Sequence, residues 1–298
     1  MMRQTFSGVA GMLAIALSVC VIGAFPSGAA NAQEQTAMDL ATCPKTKRPS
    51  PDVELMARSL IEPGSTFKPI RLSDIPQTLD RRSGDYAGLC RYQNQNATLS
   101  QHPQVVFMGD SITDAWIVAD PAMFDGRYVD RGISGQTTGQ MLGRFMADVV
   151  ALKPKMVHIM GGTNDIAGNM GPTTEGTTRN NIAAMVIIAR ANGIKVVLAS
   201  ILPADHFWWA PQWQPAKKIA AMNRWLKAYA QANRIPYVDY YGRMADVNGA
   251  LPSSLSNDGV HPNTAGYSVM RPMADAAVSA ALHSPAKQGD GSVIPTDP

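Results

Sequence analysis

Charge is scarce in this sequence: only 16% of its 298 residues are charged, and the net charge is +3. No lysine or arginine block exceeds the short Lys45–Arg48 patch. Neither a nucleic-acid partner nor a membrane-surface role is implied by so weak and dispersed a positive charge. Cysteine is scarce as well, with three in all, which excludes a small disulfide-framed scaffold. Cys20 falls in the apolar leader described below, leaving Cys43 and Cys90 as a pair that can form one disulfide in an oxidising compartment or remain as two thiols. Neither sits beside a plausible histidine partner, so no catalytic cysteine is assigned. Phosphate-binding signatures are missing too: G-x-G-x-x-G and G-x-x-x-x-G-K are both absent.

Long apolar runs are absent beyond the first 25 residues. Met1-Met2-Arg3, the apolar stretch Val9 to Phe25 and the small-x-small site Ala30-Asn31-Ala32 predict a secretory leader over residues 1–32 and an exported protein. An uncleaved anchor is the competing reading, opposed by the glycines and Pro26 that interrupt the run. Val19 is too bulky for the residue before a lipid-modified cysteine. Residues 33–103 form an arm rich in proline, serine and charge, with a short helix expected over Asp85 to Leu99 that carries Leu89 and Tyr92 on one side. A domain over 104–283 and a polar, disordered tail over 284–298 complete the division.

What is abundant is apolar residue, 45% of the chain, enough for one sizeable core. From Gln104 onward apolar runs alternate with amphipathic stretches, the pattern of an α/β fold with a parallel sheet and crossover helices. Strands are expected at Val105–Met108, Arg127–Asp130, Met156–Met160, Lys195–Ser200 and Pro236–Tyr240. Helices are expected at Gln140–Leu152, Glu175–Ala191, Pro215–Ala232 and Thr264–Leu282, with Gly193 ending the second.

Reactive groups in such sheets gather at the carboxyl ends of strands. After the first strand comes Gly109-Asp110-Ser111-Ile112-Thr113-Asp114. Ser111 either caps the following helix, with Asp114 as its capping-box partner, or faces a pocket. After the second, Gly135 lies in Arg131-Gly132-Ile133-Ser134-Gly135-Gln136-Thr137-Thr138 and can present its N–H to an oxygen unobstructed. After the third comes Gly161-Gly162-Thr163-Asn164-Asp165. Here Asn164 either serves its own loop or donates, as an amide that cannot ionise, to a developing oxyanion. Near the end, Asp258-Gly259-Val260-His261-Pro262 places a carboxylate three residues from an imidazole. Asp258 can meet Nδ1 and leave Nε2 for a serine proton. None of the other histidines, His102, His158, His206 and His283, has this spacing; His158, within an apolar strand, reads as a core histidine.

These four blocks, in this order over roughly residues 104–282, resemble the SGNH (GDSL-type) hydrolases. The resemblance implies a three-layer α/β/α sandwich on a five-stranded parallel sheet of order 2-1-3-4-5, a flavodoxin-like topology. It implies Ser111 as nucleophile and Asp258 and His261 as its triad partners. The oxyanion hole would comprise the Ser111 and Gly135 N–H groups and the Asn164 side chain. No metal or cofactor is implied. Ile112 stands where the family's name expects leucine, and no G-x-S-x-G elbow marks an ordinary α/β-hydrolase.

Substrate is less constrained. The stretch Asp205 to Trp213 follows the fourth strand, and its Trp208, Trp209 and Trp213 either form a platform for a sugar or acyl group or pin the loop to the body. Residues Arg131 to Leu142 resemble the branch holding platelet-activating-factor acetylhydrolases and carbohydrate acetylesterases, which implies short acyl, most simply acetyl, esters. A lysophospholipase or thioesterase would use the same residues, whereas a non-catalytic flavodoxin-like binding module would need no Ser–His–Asp set. The expected partner is a small-molecule or carbohydrate ester, with no stable membrane span once the leader is removed. Oligomeric state is left open.

Overall fold

The computed structural model describes Cys43, residues 58–67 and residues 85–283. The chain divides into two compact units, residues 1–44 and 45–298, and the fold described below belongs to the second. The expected leader and tail lie outside the described residues.

Five short parallel strands form one sheet: β1 (Val105–Gly109), β2 (Tyr128–Gly132), β3 (Met156–Met160), β4 (Lys195–Ala199) and β5 (Tyr237–Val238). Their order is 2-1-3-4-5, as the family resemblance implied. Val105 pairs with Tyr128 on one side and Met156 on the other, and this register runs to the glycine ends of β1 and β2.

Side chains alternate along each strand, and both faces are covered. Val106 and Met108 of β1, Val157 and Ile159 of β3 and Val196 and Leu198 of β4 share one core. That core includes residues of α4 (Thr138–Asp148), α6 (Glu175–Ala191) and α7 (Ala216–Ala232). Val105, Phe107, Met156, Met160, Val197 and Ala199 point the other way, into a core with α3 (Trp116–Ala119) and α9 (Thr264–His283). Three layers result. The remaining helices are short: α1 (Gln93–Thr98), α2 (Ser111–Asp114), α5 (Thr163–Ile166) and α8 (Tyr240–Met244).

Local chemistry moves several boundaries from their expected places. The helix expected over Asp85–Leu99 shrinks to α1, because the Asp85 carboxylate accepts from the Leu89 and Cys90 N–H groups and holds a turn there. Tyr92 is buried while Leu89 is exposed, so the two do not share a face. α4 begins two residues early on a Thr137–Gln140 capping box. β5 loses its last residues to α8, whose N-cap Asp239 accepts from the Gly242 N–H. Gly193 ends α6 at φ +71°, as expected of a helix terminator.

Candidate active site

β1 lies between β2 and β3, so the chain leaves it in opposite directions on its two sides, and a crevice opens at the carboxyl ends of these strands. Ser111 emerges there as the first residue of α2. The N-cap is Asp110, whose Oδ1 accepts from the Ile112 N–H at 3.0 Å. Of the two readings of Ser111, capping is thereby ruled out: its hydroxyl is left for the crevice. Asp114 is likewise drawn elsewhere, accepting from the Ser134 hydroxyl at 2.7 Å and from Arg91 at 3.2 Å. The tight join of β2 to α2 explains Gly132, since a Cβ there would stand 2.1 Å from the Asp114 nitrogen.

Ser111 Oγ lies 2.9 Å from His261 Nε2, and His261 Nδ1 lies 2.7 Å from Asp258 Oδ2. The loop carrying both partners is closed by an antiparallel bridge between Ser256 and Pro262. Asp258 Oδ1 accepts from the Val260 and His261 N–H groups and the Ser256 hydroxyl. These bonds fix the carboxylate so that its other oxygen faces the imidazole. Burial alone would raise the Asp258 carboxyl, but the His261 charge and the loop's hydrogen bonds outweigh it and hold the group at about 2. Burial would lower His261; the Asp258 charge and hydrogen bond reverse this, and its pKa is raised. An imidazole held in this way can take a proton from a hydroxyl at Nε2 and bear the resulting charge beside a carboxylate.

Gly135 has φ +79°, a conformation that favours glycine. Asn164 is the second residue of α5 and is buried. Its Nδ2 donates to the Gln136 carbonyl at 2.9 Å and stands 3.5 Å from Asp110 Oδ2, so it touches the neighbour of Gly135 and the neighbour of Ser111. Asp110 itself is pushed up to about 6 by burial, against the Ile112 N–H and the His261 charge.

Three contacts that the sequence alone did not reveal organise this site. Asn169 donates through Nδ2 to Asn164 Oδ1 at 2.7 Å and lies 3.4 Å from the Gly135 carbonyl. Trp209 donates to Asn169 Oδ1 at 2.9 Å. Asp165 accepts from the Thr138 N–H and hydroxyl, tying α5 to the start of α4. The only signal for Asn169 was its position after Gly168, a turn glycine at φ +71°.

Hydrogen bonds tie the aromatic loop to the site. Trp208 donates from Nε1 to Asp258 Oδ2 at 3.1 Å, and the Trp209 ring lies 6.2 Å from that of His261. Trp213 is 38% exposed, with Lys218 Nζ 4.3 Å from its ring centre. His158 is buried against Tyr240, its core position as expected, and burial lowers it to about 3. His206 does meet a carboxylate, Asp205 at 2.6 Å, but that pair is more than half exposed.

Comparison with known proteins places this fold in a family. Residues 107–269, over half the chain, match the model of the GDSL-like lipase/acylhydrolase family. Esterase TesA of Pseudomonas aeruginosa is 31% identical over 173 residues, covering 53% of this chain and 79% of the esterase. A Bacteroides fragilis structure assigned as an acylhydrolase is 46% identical with a TM-score of 0.65, covering 66% of this chain and 99% of its own. A GDSL-like lipase structure from Bacteroides thetaiotaomicron is 44% identical with a TM-score of 0.64 over the same shares. With the strand order and the matched blocks pointing the same way, the chain belongs to the GDSL-like lipase/acylhydrolase family.

Proposed function

We propose that this protein is a serine carboxylic ester hydrolase working by two-step acyl transfer. The observation that carries this reading is the unbroken line from Ser111 Oγ through His261 to Asp258, with contacts of 2.9 and 2.7 Å. His261 takes the Ser111 proton as the oxygen attacks the ester carbonyl, then returns it to the departing alcohol; the same base activates water to release the acyl group. Asp258 keeps the imidazole in the tautomer with Nε2 free. The Ser111 and Gly135 N–H groups and the Asn164 amide are assigned to the oxyanion, which would displace the long 3.5 Å contact of Asn164 with Asp110. A fluorophosphonate tests the assignment. One adduct is expected, on Ser111, and Ser111→Ala is expected to lose labelling and roughly 10⁴–10⁶ in turnover. Labelling that persists in the alanine variant overturns it.

The substrate assigned to this site is a short acyl, most simply acetyl, ester on a carbohydrate. Support comes from the resemblance of Arg131–Leu142 to the acetylesterase branch and from Trp209 standing beside the imidazole. Trp208 and Trp213 are assigned to the same wall. A methylene that stays in water forfeits up to about 0.8 kcal/mol of burial, so lengthening the acyl chain gains nothing in a pocket fitted to a methyl. kcat/KM for acetyl, butyryl and octanoyl esters of one alcohol should fall in that order. A rise to octanoyl, with no action on acetylated sugars, favours a lipid substrate instead.

Export is part of the proposal. Cys43 and Cys90 are both disulfide-bonded, a state that persists in oxidising compartments. Residues 1–32 are assigned as leader, 33–103 as arm, 104–283 as hydrolase domain and 284–298 as tail. Among the described residues no helix is long and apolar enough to cross a membrane.

A further inference from the structure

Residues 58–67 lie outside the matched family region, yet they grip the loop that carries Asp258 and His261. Residues 58–61 make one helical turn, followed by the Glu62 N–H donating to the Arg58 carbonyl at 3.0 Å. Side chains that bracket the Asp258–His261 loop donate to carbonyls of this segment. Asn257 Nδ2 stands 2.8 Å from the Ser59 carbonyl, 3.4 Å from that of Leu60 and 2.7 Å from that of Glu62. Thr264 donates its hydroxyl to the Ile61 carbonyl at 3.0 Å. Leu60 and Ile61 are buried, and Ile61 joins the core that contains Trp116 and Tyr267.

The other end of the segment reaches the triad by a separate route. The Phe67 ring packs on Trp208, with centroids 5.3 Å apart, and Trp208 donates to the same Asp258 oxygen that holds His261. Asp258 is therefore approached from two sides by one piece of the arm: through its chain neighbour Asn257, and through Trp208.

We propose that residues 58–67 are a positioning strap for the Asp258–His261 loop, fastened at Asn257 and Thr264 and at Trp208 through Phe67. The inference rests on the triad assignment above. Catalysis by proton transfer is sensitive to placement, and a shift of about 1 Å costs up to roughly 10²-fold in rate. The strap acts on the pose and charge of Asp258, so its loss lowers turnover more than it weakens substrate binding. The Trp208 N–H also disperses the Asp258 charge. Without it the carboxylate stabilises the imidazolium more strongly. The groups that face His261 are Asp258, Ser111 Oγ, the Trp209 ring and, by charge, Asp110; none supplies a replacement donor to Asp258 Oδ2.

The test uses the full mature chain and three readouts: kcat and KM for an acetyl ester, the fluorophosphonate labelling rate, and the pH profile of kcat/KM. Phe67→Ala and Asn257→Asp, the latter keeping shape but losing the amide donor, are expected to lower kcat and labelling roughly tenfold with KM within about threefold. Phe67→Tyr, which keeps a ring on Trp208, is expected to recover most of the rate. Wild-type activity should fall as acid protonates His261, with the acid limb above the ordinary imidazole value of about 6.5, and Trp208→Phe should move that limb higher still. Native rates in both strap variants with only a lowered melting temperature, or an unmoved limb in Trp208→Phe, overturn the strap and reduce residues 58–67 to a cover for the core. Failure of wild type to label at Ser111 overturns the triad assignment and the strap with it.

Discussion

The oxyanion role proposed for Asn164 shows how little separates a useful side chain from a useless one at the scale of single residues. An amide has a donor end and an acceptor end of nearly equal shape, and a 180° turn would aim an oxygen, not an N–H, at a developing oxyanion. Asn169 settles the orientation: its Nδ2 donates to Asn164 Oδ1, while Trp209 donates to Asn169 Oδ1 and fixes Asn169 in turn. Asn169→Asp replaces that donor by an acceptor and favours the flipped amide. Turnover should then fall by about 10²–10³, the usual cost of losing one oxyanion donor, with much less change in KM. Steady-state kinetics of the folded variant check this; near-native turnover would remove Asn169 from the site. The Asn164 motif was readable in its glycine turn, but Asn169 was not, because nothing local distinguishes a turn asparagine from one that reaches another side chain.

At the scale of elements, the site depends on how the end of β1 is held, and a buried arginine takes part in that together with the strand pairing. Arg144 of α4 donates to the Gly109 carbonyl at 2.9 Å, to Gln136 Oε1 at 2.6 Å and to Asp148 Oδ2 at 3.1 Å. It thus ties the residue two before Ser111 to the residue after Gly135. The ion pair is fully buried, so removing the cation leaves a buried carboxylate whose remaining hydrogen-bond partner among the described residues is the Asn96 amide, with Arg131 nearby by charge. Arg144→Met should destabilise by about 3–5 kcal/mol, measured by urea unfolding, a far larger loss than an exposed pair would show. The strands around this tie were legible as short apolar runs and the long helices as amphipathic stretches between them. The short helices α2 and α5, which aim Ser111 and Asn164, were not, because four-residue helices have no periodicity and are defined by caps such as Asp110.

At the scale of the whole molecule, the two Bacteroides structures each cover 66% of this chain while using 99% of their own length, so about a third of the chain lies outside those matches. Cys90 lies close before Tyr92, whose hydroxyl donates to the Gly132 carbonyl at the end of β2. Cys43 and Cys90 are both disulfide-bonded, and the pairing proposed is Cys43–Cys90. Closing a loop of this size stabilises by about 2–4 kcal/mol when the geometry is unstrained. Intact mass should rise by about two hydrogens on reduction, and the reduced protein should unfold at lower denaturant. Two thiols freely alkylated in the unreduced exported protein would refute the bond.

The sequence by itself determined the layered α/β fold, because two-sided burial of short strands leaves unbroken apolar runs and one-sided burial of helices leaves a periodic apolar pattern. It also marked Ser111, Gly135, Asn164, Asp258 and His261, because their chemistry sits in short motifs at strand ends. Tertiary structure alone decided that the Ser111 hydroxyl faces His261 and caps nothing, that Trp208 is bound to Asp258, and that residues 58–67 hold the loop between Asn257 and Thr264. Those are contacts between residues up to about 200 positions apart, formed by polar groups whose partners depend on distance and angle. Hydrophobic pattern specifies which face of an element is buried, but it carries no record of which donor meets which acceptor once the faces have closed.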